Sequence, residues 1–169
     1  MPAEPARPAP PEQGRPDAVA RVRAALAAAG VDVRIVEFAE STRTAQDAAR
    51  AVGTSTGQIV KSLVFLADGR PVLVLASGAN RVDTSKVARL AGAARVEKAP
   101  ADAARDASGF SVGGVPPVGL RTALAVYVDA ALLAYDLIYA AAGTPHAVFP
   151  IEPKTLVRVT SGTVGDIAE

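Results

Sequence analysis

The sequence predicts a mixed α/β domain with a largely β core of hairpin-linked strands surrounded by short helices. Two apolar runs, Ile59–Ala67 and Val72–Ala76, flank Asp68-Gly69, the pattern of a tight hairpin. Helix-periodic and β-branched segments intermingle without the strict strand–helix–strand order of a doubly wound fold. The chain has 169 residues, 50% hydrophobic and 21% charged, enough for one domain with its own core.

Residues 1–15 read as a disordered Pro/Ala-rich tail. Pro2, Pro5, Pro8, Pro10 and Pro11 favour neither a helix nor a central strand, and no apolar stretch makes the segment a signal peptide. The domain is expected over 16–169. Pro16 and Asp17 open a helix, Val19, Val22, Leu26 and Ala29 repeat at helical spacing, and Gly30 closes it. Val31–Phe38 reads as a strand. Thr44 and Asp47 have capping-box spacing, opening a short helix that stops at Gly53.

The two hairpin strands are apolar on both faces and should be central, covered on each side. Asp83 or Thr84 caps a helix ending near Gly92. A short strand near Arg95–Glu97 and a helix from Pro100 to Ala107 follow. Residues 109–119 hold four glycines and two adjacent prolines, so they form an irregular loop. Ala123–Asp129 and Leu137–Ala142 read as strands, and His146–Ile151 pairs with the second across Gly143-Thr144-Pro145. A short helix or turn near Pro153–Leu156 closes the domain.

Composition excludes several chemistries. There is no cysteine, so there is no disulfide, thiolate nucleophile or Cys-based zinc site. The single histidine, His146, excludes a His-rich metal site. Phosphate-binding P-loop, nucleophile-elbow and dinucleotide signatures are absent. No apolar run is long enough to span a bilayer. Together these features fit a cytoplasmic protein. The net charge of +1 gives no strong overall field. Residues 81–98 carry Arg81, Lys86, Arg89, Arg95 and Lys98 against Asp83 and Glu97, with no interleaved aromatic. That fits a solvated face or a weak phosphate contact.

Three features could carry chemistry. Lys61 lies in an apolar strand, sharing a face with Ile59, Leu63 and Phe65. An ammonium there must snorkel to water or open into a cleft, where it would suit a phosphate or carboxylate. The loop Gly109–Gly119 is either a rigid connection or a cradle that points backbone amides at an anion or carbonyl. His146, after Gly143-Thr144-Pro145, is either a surface residue beside a turn or an imidazole at a pocket mouth.

These residues, taken in order, resemble the YbaK-like aminoacyl-tRNA deacylases, which include the editing domain inserted in bacterial prolyl-tRNA synthetases. Gly57–Phe65 resembles that family's lysine-bearing strand, and Val74–Asp83 the stretch between it and the substrate loop. Gly113–Gly119 resembles its glycine/proline substrate loop, with Gly113 and Pro117 matching Gly-x-x-x-Pro. Gly143–Phe149 resembles its late histidine segment. The resemblance spans about residues 20–160.

It implies a trans-editing hydrolase that clears mischarged aminoacyl-tRNA. Water would attack the ester at the tRNA 3′ end, helped by the terminal 2′-OH, with no metal and no cofactor. Lys61 would hold the phosphate or ribose of the terminal adenosine. Gly113, Gly114 and Val115 would lie against the aminoacyl group and its carbonyl. Pro116 and Pro117 would fix the loop, and Val115, Pro116 and Thr44 would border the pocket. His146 matches a histidine important in some branches of the family. The implied partners are the acceptor end of aminoacyl-tRNA and a synthetase. The alternatives are a non-catalytic tRNA- or synthetase-binding or regulatory module of the same fold, and an enzyme for a small ester or nucleotide.

Overall fold

The computed structural model describes residues 17–42 and 44–169. The expected tail lies outside the described residues. Eight strands form one sheet: β1 (Val36–Glu37), β2 (Ile59–Ala67), β3 (Arg70–Ser77), β4 (Val96–Lys98), β5 (Ala125–Asp129), β6 (Ile138–Ala141), β7 (Ala147–Ile151) and β8 (Thr163–Gly165). Five helices pack around it: α1 (Ala18–Ala28), α2 (Ala45–Val52), α3 (Thr84–Ala91), α4 (Ala101–Ser108) and α5 (Pro153–Thr160).

The strand order is β1-β7-β6-β2-β3-β5-β8, with β4 added to β2. The β2/β3 and β6/β7 hairpins are antiparallel, and β2/β6, β3/β5 and β5/β8 are parallel. The mixed α/β architecture is therefore as expected, with a larger parallel share than hairpins alone imply.

Alternation of side chains along β2 and β3 divides the core into layers. Val60, Val64, Leu73 and Leu75 face one side, packing with Val22 and Leu26 of α1, Ala104 of α4 and Leu156 of α5. Phe65, Val72 and Val74 face the other, against Val87 and Ala88 of α3. Ile59 meets Ala48 and Ala49 of α2 on that second side.

Local chemistry sets the element ends. The Asp17 carboxylate accepts from Val19 N–H, and Thr44 Oγ1 accepts from Asp47 N–H at 3.0 Å. Asp83 accepts from Ser85 and Lys86 N–H. Asp68 turns the β2/β3 hairpin at φ +49°, while its carboxylate accepts from Ala94 and Arg95 N–H, tying the turn to the start of β4.

Some boundaries differ from those expected. The strand expected over Val31–Phe38 shrinks to Val36–Glu37, because only these residues find partners, Val148 and Ala147. β4 begins one residue late. β5 begins at Ala125, β6 spans Ile138–Ala141, and β7 starts at Ala147. The final helix runs to Thr160, since Val157 and Val159 also pack on the core. β8 was not anticipated. Covering on both sides holds for β3, buried over Val72–Ser77, but the Lys61–Leu63 stretch of β2 is only half-buried.

Candidate active site

That half-buried stretch faces a cleft of about 830 Å³. Its origin lies in the sheet. One edge of β2 pairs with β3 along its length. The other edge pairs with β6 only at Ile59 and Val60, and with β4 only from Phe65 to Ala67. Between these neighbours the sheet is split, and the cleft enters at the split. Thr44 and Ala45 at the start of α2 form one wall. Lys98 and Ala99 at the end of β4 form a second, and Val112, Gly113 and Val115 a third. Tyr139, Thr144 and Ala147, on β6, β7 and their turn, complete it.

Lys61 lines this cleft, and its Nζ donates to the main-chain oxygen of Asn80. Asn80 is itself held, because its Nδ2 donates to Asp129 Oδ2 at 3.0 Å. Asp129 is 2% exposed and also accepts from Ser77 N–H at 3.1 Å and Ala131 N–H at 3.0 Å. Burial lowers the pKa of Lys61 from its ordinary value; the Asp129 carboxylate opposes that shift and Arg81 adds to it. A buried carboxylate thus steadies the peptide that steadies the ammonium, a chain the sequence reading missed.

The loop from 109 to 119 is shaped on both flanks. Arg21 of α1 lies over the Phe110 ring at 4.3 Å and donates to Gly109 O at 3.1 Å, with a longer contact to Gly119 O at 3.5 Å. It thereby braces both ends of the loop. At the tip Gly113 has φ +95°, which its lack of a Cβ permits. Gly114 packs so tightly on the 143–144 turn that an added Cβ would lie 2.6 Å from Thr144 Cα. Its N–H donates to Ser111 O and is engaged within the turn.

The structure therefore brings Lys61, Thr44, Gly113 and Val115 to one cleft. Gly114, Pro116 and Pro117 are buried behind Val115 and do not line it. His146 is exposed and also lies off the lining. Its peptide ties the β6–β7 turn to the segment before α2, with Phe38 N–H donating to His146 O at 2.7 Å. Ser62, not singled out in the sequence as a site residue, lines the cleft, as does Lys98, noted there only within a mildly basic segment.

A split mixed sheet with a lysine and a glycine loop lining one cleft defines a mixed α/β domain with an open cleft. The chain belongs to the aminoacyl-tRNA editing domain family, whose model matches residues 39–159. It is 30% identical to the uncharacterised protein YwhH of Bacillus subtilis, over 72% of this chain and 78% of that one. It is 37% identical to the proline–tRNA ligase of Bacillus licheniformis, over 61% of this chain but only 18% of the ligase. Among solved structures it resembles one assigned provisionally as a trans-editing enzyme for prolyl-tRNA synthetase. The identity there is 44% and the TM-score 0.86, covering 92% of this chain and 99% of that one.

Proposed function

We propose that this protein is a trans-acting deacylase that hydrolyses the ester of mischarged aminoacyl-tRNA in the cytoplasm. The observation that carries this reading is that Lys61, Gly113 and Val115 line one cleft. The rest of that cleft is lined mainly by small or apolar side chains, Ala45, Ala99, Ala104 and Ala147 among them. A small aminoacyl group fits such walls, and a charged nucleotide end fits the lysine.

In this reading the Lys61 ammonium holds the phosphate or ribose of the terminal adenosine. Gly113, free of a side chain, lets the ester carbonyl approach the loop backbone closely. Water attacks that carbonyl, assisted by the vicinal 2′-OH, and the ribose 3′-oxygen leaves with a proton. The protein contributes positioning and fixed dipoles, and no side-chain nucleophile is required. Val115 and Thr44 border the acyl group, while Pro116 and Pro117 stiffen the loop from behind. His146 stays outside the reaction.

The test is a deacylation panel on tRNA charged with alanine, cysteine, serine, threonine or proline, with Lys61→Ala alongside. The expected outcome is selective hydrolysis, lost by about a hundred-fold or more in a variant that still folds. Binding of tRNA without turnover of any substrate would favour the non-catalytic module instead.

A further inference from the structure

Among the described residues, Ser62 Oγ is the one buried side-chain oxygen or nitrogen without a hydrogen-bond partner. A buried hydroxyl without a protein partner in a cleft wall is left for water or a ligand to satisfy. Ile59 O accepts from Gly78 N–H on the β3 side of β2, while Val64 O accepts from Ala99 N–H on the opposite side. Peptide groups alternate along a strand, so those of even-numbered residues, Ser62 included, turn to the split edge. The registers end at Val60 with β6 and begin at Phe65 with β4, leaving Ser62 opposite neither. Its side chain shares the sheet face of Val60 and Val64, where the cleft is otherwise lined by Ala99, Ala104 and Val115.

Ser62 thus keeps a hydroxyl without a protein partner and an unladdered peptide group beside an apolar chamber. Its N–H turns to the same edge, and the hydroxyl and carbonyl oxygens are the acceptors it offers there, suited to a group with several N–H donors. We propose that Ser62 anchors the α-ammonium of the aminoacyl ester, while the acyl side chain occupies the chamber beside it. This deepens the deacylase reading above and rests on it. Ser62 is thereby a specificity residue for α-amino esters over other esters of the same tRNA end.

The experiment uses the full chain and two substrates. One is the aminoacyl-tRNA cleaved fastest in the panel; the other is the same tRNA carrying the α-hydroxy acid with the same side chain. Wild type should prefer the amino ester by about ten-fold in kcat/KM, and Ser62→Ala should erase most of that preference by slowing the amino ester alone. Ser62→Thr, which keeps the hydroxyl, should retain it. Because the hydroxyl is unpaired, Ser62→Ala should leave Tm unchanged or raise it. An equal loss on both esters, or no loss on either, would overturn the anchor while leaving the deacylase intact. Hydrolysis of neither ester by wild type would overturn both.

Discussion

Lys61 is held between opposing influences, and its titration reports them. Burial lowers its pKa, and the Asp129 carboxylate pulls it back up. If the ammonium is the active form, kcat/KM should fall on the alkaline side at a pH below the ordinary lysine value of about 10.4. Asp129→Asn removes the supporting charge, so that alkaline limb should move to lower pH; a limb that stays put would mean Asp129 serves the fold alone. The sign for stability follows from the same shift. The unfolded chain holds this proton more tightly than the folded one, so Lys61 costs stability below its folded pKa, and the cost disappears as pH rises through the window up to the unfolded value. Lys61→Met should therefore be inactive yet no less stable at neutral pH. Gly113 and Gly114 separate in the same way. Gly113 has open space around it but a positive φ, so Gly113→Ala should cost about 1–2 kcal/mol and keep the fold. Gly114→Ala drives a methyl into the Gly143–Thr144 backbone and should cost more; thermal melts of the pair give the ranking. Lys61 stood out in the sequence because a charge in an apolar strand demands an explanation. Asp129 and Asn80 did not, since 49 residues separate the partners and each looks ordinary alone.

Elements show what local pattern can and cannot reveal. The β2/β3 hairpin was legible because Asp68-Gly69 sits between two β-branched runs, and α2 and α3 because their capping residues and terminal glycines bracket them. The segment before Val36 alternates like a strand, yet pattern says nothing about whether a partner exists, and only two residues find one. The three-residue β8 carries too little pattern to read; it forms because Val128 and its neighbours offer an edge. The loop from 109 to 119 was legible as irregular, but its brace was not, because Arg21 reaches it from α1, 88 residues away. Arg21→Ala removes a charged hydrogen bond to Gly109 O and the stacking on Phe110, an expected loss of about 2 kcal/mol. Urea unfolding should show a lower midpoint with an unchanged slope. The loop should also open, raising KM for aminoacyl-tRNA; Arg21→Lys, which keeps the charge but not the planar fork, should fall between. At the β2/β3 hairpin, the Asp68 carboxyl pKa is lowered by the Ala94 and Arg95 amides. Its contribution is present above the unfolded carboxylate range and fades as pH falls through the folded value, so Asp68→Ala should lower Tm at neutral pH and converge on wild type in acid.

At the scale of the whole molecule, the cleft is a consequence of topology. Periodicity identifies strands but not their neighbours, so the parallel β2/β6 contact, and with it the split at Lys61–Val64, could not be read from the sequence pattern. Charge at this scale was legible, and it sets the mode of nucleic-acid binding. The net charge is +1, and the lysines lining the cleft are Lys61 and Lys98. Lys98 of β4 pairs opposite Phe65 of β2, so the two lysines enter the cleft from neighbouring strands. Two such cations match a short single-stranded end with few phosphates and leave little long-range attraction for the body of a tRNA. Each phosphate neutralised on a single strand contributes about −0.7 to the slope of log affinity against log salt, so two predict a slope near about −1.4. Measuring kcat/KM between low and physiological salt checks this, provided the wild-type rate with saturating substrate stays constant. Lys98→Ala should reduce the slope by about 0.7 and raise KM while sparing kcat, if Lys61 is the residue that holds the terminal adenosine as proposed. A slope several times steeper would place the principal phosphate contacts outside the cleft. The exposed Arg81, whose partner Glu169 is 3.9 Å away, would then be the first candidate to remove.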